Sequence, residues 1–220
     1  MGVYVQYGCG ASCPDGWINF DASPTLLLQK IPAFGRAFKR GPIVFDSRVR
    51  FGDIVRGLPV PDGYADGVYA SHVLEHLALD DFWIALKNTR RILKPGGVFR
   101  LIVPDLEGRA RKYLKRISEG APDANSRFML SAHLGARSRS RSIAGRFRSA
   151  FGNSAHLWMW DEPSITAALV SVGFTDVRRA HLGDSPDTAF SAVESPTRFV
   201  DQEDFGEEEC AMEARRPFTD

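Results

Sequence analysis

Leu58-Pro59-Val60-Pro61-Asp62-Gly63-Tyr64-Ala65-Asp66-Gly67-Val68-Tyr69-Ala70-Ser71-His72-Val73-Leu74-Glu75-His76-Leu77, followed by Arg90-Arg91-Ile92-Leu93-Lys94-Pro95-Gly96-Gly97, is the stretch on which the fold turns. Its opening, Leu58 to Gly63, is dense in turn residues, and Ala65 to Ala70 has the composition of a strand that opens onto Ser71-His72. From about Asp80 to Leu93, Phe82, Ile84, Ala85, Leu86, Ile92 and Leu93 recur at helical spacing. Asp80 and Asp81 at the start and Lys94 near the end suit the helix macrodipole. Pro95-Gly96-Gly97 ends that helix, and Val98 to Val103 is the most strand-like run in the chain, stopped by Pro104-Asp105. The order β-α-β with mostly apolar strands predicts a parallel sheet covered by helices on both faces.

Working outward, Val3 to Tyr7 reads as a short buried strand ending in glycine, and Trp17 to Phe20 as a second strand stopping at Asp21. Pro24 marks the boundary before a helix-like segment, Thr25 to Lys39, which Pro32 interrupts. Val49-Arg50-Phe51 is a third strand, before Gly52-Asp53. Beyond the central unit, Gly108 to Glu119 is a helix. The residues from about 108 to 157 form an insertion after the fifth strand, least periodic between Ala121 and Ala155. Asp161 can cap a helix from Glu162 to Val172 ended by Gly173, followed by strand Thr175 to His181. An acidic loop, long enough to be functional or mobile, leads to a last strand-like segment, Cys210 to Arg215.

The 220 residues suffice for one full-sized core, so a single domain over residues 1–220 is expected. No apolar run approaches the roughly 18 residues of a membrane span. The N-terminus lacks a basic segment and a secretory cleavage pattern, which with the composition points to a soluble, cytoplasmic protein. Cys9, Cys13 and Cys210 read as reduced thiols, and no paired Cys/His spacing completes a zinc site, so no metal is expected. Net charge is +1, but unevenly spread. Ala124 to Trp160 contains Arg127, Arg137, Arg139, Arg141, Arg146 and Arg148 and no acidic residue. Asp184 to Glu213 is strongly acidic. The plainer reading of each run is a solvated face.

The strand ends carry the chemistry. Gly8-Cys9-Gly10 directly follows the first strand, where glycine lets the backbone turn sharply and approach a ligand. Asp21 ends the second strand, Asp53 and Ile54 follow the third, and Ser71-His72 follow the fourth. In an open parallel sheet, ligands bind at the carboxyl ends of strands near the switch in strand order, and these features would share that edge.

The quoted stretch and its turn-strand surroundings resemble class I S-adenosylmethionine (SAM)-dependent methyltransferases, in the type 11 branch. The likeness is close over roughly Val3 to Asp105 and returns at Trp158 to Phe174. It implies a Rossmann-like, seven-stranded, mostly parallel sheet and SAM as cofactor. It also implies roles: Gly8, Cys9 and Gly10 beneath the methionine part, Asp21 on the ribose hydroxyls, Asp53 with the backbone of Ile54 at the adenine, and Ser71 with His72 bordering the methyl group. A carboxylate can accept from two vicinal hydroxyls, and its charge strengthens such bonds. Alternatively, Asp21 caps a helix, Asp53 forms a turn, and His72 caps the helix that follows.

The chain also departs from that pattern. Gln6 stands where the family usually has an acidic residue, Ser12 replaces a third glycine, and ten residues between Gly10 and Asp21 leave no room for a full first helix and a strand. The first crossover helix is therefore expected to be shortened or absent, its wall supplied by Thr25 to Lys39 or by a partner. Methyl transfer needs alignment above all, with a base added for a hydroxyl acceptor. Among His72, His76, His133 and His156, His72 is the preferred base; His76 is expected to pack or cap within the helix, and His133 and His156 to lie on the acceptor side. The leading expectation is a methyltransferase for a small-molecule or glycan acceptor, with the insertion as a lid whose arginines suit an anionic group. A second reading is a non-catalytic SAM-binding or interaction module. An RNA methyltransferase using Arg137 to Arg141 ranks lowest, since no aromatic residues interleave with those arginines. Acceptor atom and oligomeric state stay open.

Overall fold

The computed structural model describes residues 2–31, 43–135, 155–200 and 208–219. Strands β1 (Tyr4–Tyr7), β2 (Trp17–Asp21), β3 (Arg50–Phe51), β4 (Ala65–Ser71), β5 (Leu93–Val103), β6 (Thr175–Arg179) and β7 (Cys210–Arg215) form one sheet in the order β3-β2-β1-β4-β5-β7-β6. The pairs β2–β3, β1–β2, β1–β4 and β4–β5 are parallel, whereas β7 runs antiparallel to both β5 and β6. Consecutive crossovers reverse direction between β1 and β4, and the strand ends there open the crevice in which a doubly wound sheet binds ligands. The helices are α1 (Pro24–Lys30), α2 (Leu79–Ile92), α3 (Leu106–Ser118), α4 (Ala124–Ser131), α5 (Glu162–Ser171) and α6 (Pro196–Phe199).

Side chains alternate across the strands, so one sequence serves two cores. Phe99, Leu101 and Val103 of β5 join Val5, Tyr7, Val68 and Ala70 against Phe82, Ala85 and Leu86 of α2 and Ile165 and Leu169 of α5. Val98 and Ile102 of β5 join Trp17 and Tyr69 on the other face, beneath Phe190, Val193 and Phe199. That second face is covered by a 3-10 helix, Thr188–Ala192, and by α6. Sequence patterning gives only an acidic loop there, because these elements are single turns held by tertiary contacts.

Other boundaries shift for identifiable reasons. Helix α1 ends at Lys30, and the remainder of the predicted helix, with Pro32, lies outside the described residues. Strand β5 begins at Leu93, which pairs with Ala65 before a register shift absorbs Pro95-Gly96-Gly97. Gly96 and Gly97 are also fixed by backbone bonds of 2.9 Å each with Arg216. At α5 the predicted cap is present: the Asp161 carboxylate accepts from the Ser164 amide at 2.9 Å in a full capping box. Residues 8–16, between β1 and β2, contain no helix, as the spacing requires.

Among the described residues, part of the acidic run faces inward: the Glu194, Glu209 and Glu213 side chains are buried against arginines. Arg100, in the middle of β5 with a fully buried side chain, donates to Glu213 (2.8 Å), Asp184 (3.0 Å), Glu194 (2.7 Å) and the His181 carbonyl (3.1 Å). Arg178 reaches Asp184 and Glu213 from β6. Burial pushes the Asp184 carboxyl up, but the Arg178 and Arg100 guanidinium groups outweigh it and hold its pKa at about 2. Arg109 of α3 likewise grips Glu209 through two bonds of 3.0 and 3.1 Å. These pairs pin the chain after β6 onto the sheet and fix α3 beside β7.

Removing the cation from such a cluster strands several carboxylates in low dielectric, a loss on the order of 3–5 kcal/mol. Arg100→Met is therefore expected to lower unfolding free energy by about that amount in chemical denaturation. Unchanged stability would show that the cluster contributes nothing.

Candidate functional site

The carboxyl edge of the sheet is set by register. Tyr7 pairs with Phe20 on one side and Ala70 on the other, and Asp21 pairs with Phe51. Gly8, Asp21, Gly52 and Ser71 therefore stand side by side at the ends of four neighbouring strands.

Gly8 and Gly10 both adopt left-handed backbone, with φ of 63° and 56°. A Cβ on Gly8 would stand 2.1 Å from Cγ2 of Val73, so this glycine lets the turn pass directly beneath the segment leaving β4. A Cβ on Gly10 would meet nothing within 4 Å, so its surface is open. Between them, the Cys9 amide donates to Phe20 O at 3.1 Å, and the Cys9 side chain is buried with Leu26, Phe45 and Val49. Burial pushes the Cys9 thiol up to about 12, with the Asp21 and Cys13 charges adding to it, so it is protonated at neutral pH. Leu26 belongs to α1, so α1 packs behind the turn where the sequence leaves the first crossover without a helix.

The Asp21 carboxylate, 8% exposed, accepts from the Gly10 amide at 2.9 Å and the Ser23 amide at 2.8 Å. It does not cap α1, whose N-cap is Ser23. Each Asp21 oxygen keeps acceptor capacity beyond its amide. Asp53 is half-buried, accepts from the Val55 amide at 2.9 Å in a turn, and lies 3.5 Å from Arg56. Ile54 is buried, its carbonyl taken by Asn88 at 2.7 Å. Gln6, buried at the end of β1, accepts from the Ser12 hydroxyl at 3.5 Å. Ser71 is 2% exposed, and its Oγ has no hydrogen-bond partner.

His72 has φ of 54°, a left-handed conformation that is uncommon outside glycine and gathers at functional sites. It caps neither following helix: its Nε2 donates to the Arg198 carbonyl at 3.1 Å, and Nδ1 lies 3.6 Å from Glu75 Oε1. Burial pushes the His72 imidazole down, but the Glu75 carboxylate outweighs it and leaves the pKa above its ordinary value. Glu75 is fully buried, and neither carboxylate oxygen has a hydrogen-bond partner.

His76, expected to pack or cap within a helix, instead sits in the 3-10 turn Leu74–His76, its Nδ1 3.0 Å from the Ala155 carbonyl and its Nε2 3.6 Å from Glu75 Oε1. The chain from Ala155 onward docks here, with the Leu157 and Trp158 amides both donating to Glu75 O at 2.8 and 3.1 Å. His156 is thereby brought to His76, with ring centroids 5.2 Å apart, and His133 lies 4.6 Å from His156 on its other side. Burial pushes the His156 imidazole down to about 4. Of the four candidate histidines, three thus cluster at the edge beside His72. Arg137 to Arg148 lie outside the described residues, and Arg127 pairs with Asp123 at 2.6 Å.

Residues 17–101 match the sequence profile of the family described as "Methyltransferase domain". A solved SAM-dependent methyltransferase from Archaeoglobus fulgidus superimposes with a TM-score of 0.53 at 16% identity, covering 98% of this chain and 86% of that one. This is a class I methyltransferase fold. The 1,6-didemethyltoxoflavin-N1-methyltransferase of Burkholderia thailandensis, solved with 1,6-didemethyltoxoflavin and S-adenosylhomocysteine bound, is similar at 16% identity and a TM-score of 0.47, covering 98% of this chain and 71% of that one. No curated protein matches the chain in sequence.

Two partners in this methyltransferase fold escape sequence reasoning. Glu75 stands inside the quoted stretch, but only the return of the chain at His156 and Leu157 shows that it is buried. Arg198 reaches the edge from α6, its NH1 3.5 Å from Ser71 O, and α6 carries no periodic signal. A recess lined by Val98, Asp176, Arg178, Pro186, Glu213, Ala214 and Arg215 opens at the amino ends of the parallel strands, away from these residues.

Gly8→Ala adds a methyl group that Val73 must yield to, as well as left-handed strain, whereas Gly10→Ala adds strain of about 1 kcal/mol alone. Gly8→Ala should be the more destabilising by roughly 1–3 kcal/mol in denaturation. Equal effects would contradict the packing of Val73 on the turn.

Proposed function

We propose that the protein is a SAM-dependent methyltransferase acting on a small-molecule or glycan acceptor. The observation that carries the reading is the meeting, at one edge of a β3-β2-β1-β4-β5-β7-β6 sheet, of the open Gly10 surface, the Asp21 and Asp53 carboxylates and the unpartnered buried Ser71 hydroxyl. These residues suit the cofactor. Gly8, Cys9 and Gly10 would offer backbone beneath its methionine part, since the Cys9 side chain faces α1. Asp21 would accept from the ribose hydroxyls, Asp53 and Ile54 would hold the adenine, and Ser71 would lie beside the sulfonium. When bound, SAM supplies the methyl electrophile.

The chain's own work is alignment and proton removal. His72 is oriented by the Arg198 carbonyl at Nε2, which leaves Nδ1, 3.6 Å from Glu75, as the nitrogen that would take the acceptor's proton. The inserted segment, as a lid, would cover the acceptor; His133 and His156 within it already lie at the edge. An anionic acceptor would be met by the arginines after residue 136, since Arg127 is paired. A cytoplasmic setting belongs to the same reading, in keeping with three free cysteines.

One observation favours a second reading, a non-catalytic SAM-binding or interaction module: Gln6 offers no negative charge at the end of β1, and no helix follows the glycine turn. Calorimetric titration of SAM and S-adenosylhomocysteine separates the cases. Both ligands should bind the wild type, and Asp53→Ala, which removes a charged acceptor but neither bond to the Gly10 turn, should weaken binding about tenfold or more. No binding to the wild type would sink the enzyme reading, and unchanged affinity in Asp53→Ala would show the adenine end to be misplaced.

A further inference from the structure

We propose that Glu75, His76 and His156 form a binding site for a divalent transition metal ion of the zinc class. One ligand atom from each lies within 4.8 Å of the others. Glu75 is fully buried and both of its carboxylate oxygens lack hydrogen-bond partners, and His156, 9% exposed, has an unpartnered Nδ1. Buried carboxylates without donors are costly, and a cation is the species that offsets such a cost.

The histidine tautomers point the same way. A backbone carbonyl only accepts, so His76 Nδ1, 3.0 Å from Ala155 O, donates to it, and Nε2 lies 3.6 Å from Glu75 Oε1. His156 has a backbone hydrogen bond to Ala132, which leaves the unpartnered Nδ1 as its second ring nitrogen. In each ring one nitrogen is anchored on a main-chain carbonyl, the arrangement by which metal-binding histidines are oriented and their basicity raised. His72 and His76 both face Glu75 Oε1, so a proton on either would answer that oxygen but leave Oε2 and His156 Nδ1 unmatched, whereas a metal ion answers both. Two imidazoles and a carboxylate with a further coordination position open is a donor set for zinc, cobalt or nickel rather than for calcium or magnesium. Donor atoms at about 2.0–2.2 Å from one ion stand roughly 3.5 Å apart, so the site closes by shifts on the order of 1 Å.

The ligands join the turn after β4 to the end of the inserted segment, so the ion would fasten the acceptor side of the edge. His72 Nδ1 also lies 3.6 Å from Glu75 Oε1, and the carboxylate would connect the base position to the metal. The inference is independent of SAM, because no group assigned to the cofactor serves as a ligand.

The test uses the full chain without a histidine tag, stripped with chelator and titrated with Co2+ by absorption and with Zn2+ by competition, in the absence of SAM. One ion per chain is expected. Glu75→Gln, which keeps the volume, and His156→Ala should each weaken binding about tenfold or more, while His181→Ala, at an exposed position elsewhere, should not. Zn2+ should also raise the thermal midpoint of the wild type and not that of Glu75→Gln, a readout that holds even if His156→Ala folds poorly. No saturable binding to the wild type, or binding and midpoint shift retained in Glu75→Gln, would overturn the proposal and leave the methyl-transfer reading untouched.

Discussion

Two backbone amides, those of Gly10 and Ser23, close on the single carboxylate of Asp21. That clasp is the constraint on which the carboxyl edge depends. A glycine turn with no helix behind it has nothing regular to hold its free amides, and nine residues between strands would otherwise wander. Asp21 fixes one end of the turn to β2, the Cys9 amide fixes its middle to Phe20, and Val73 closes over Gly8 from β4. α1 then buries Leu26 against Cys9 and supplies the packing a crossover helix would have given. A carboxylate that already serves the backbone twice is also rigid, which suits a group meant to receive a ligand's hydroxyls without first reorganising.

The opposite half of the sheet is organised by charge. Arg100 and Arg109 are buried cations, each answered by carboxylates from the chain that follows β6, so Asp184, Glu194, Glu209 and Glu213 are the counterpart of arginines in the sheet and in α3. The consequence for the site is positional. Glu194 and Asp184, held by Arg100, fix the segment from which α6 extends, and α6 presents the Arg198 carbonyl to His72.

Much of this was legible in the sequence, and for physical reasons. The strands, the long helix Leu79–Ile92 and the capped helix after Asp161 are set by local apolar spacing, glycine and proline stops and a capping carboxylate, all of which act within a few residues. The missing crossover helix followed from chain length alone. What escaped depends on distant partners: the single-turn elements over the second face exist because Phe190 and Phe199 are buried, and Glu194 and Glu213 are internal because Arg100 meets them. Glu75 and His76 were visible as a motif, but their meeting with His156 is a product of the fold, and no spacing rule for metal ligands spans such a separation.

The central claim is that the strand ends at Gly8–Gly10, Asp21, Asp53–Ile54 and Ser71 form one ligand site. Backbone amide chemical shifts on addition of S-adenosylhomocysteine test it most directly, because they locate contact without requiring turnover. The account predicts saturable shifts concentrated at those residues. Shifts confined to the recess around Val98, Arg178 and Arg215, or none at the glycine turn, would contradict it.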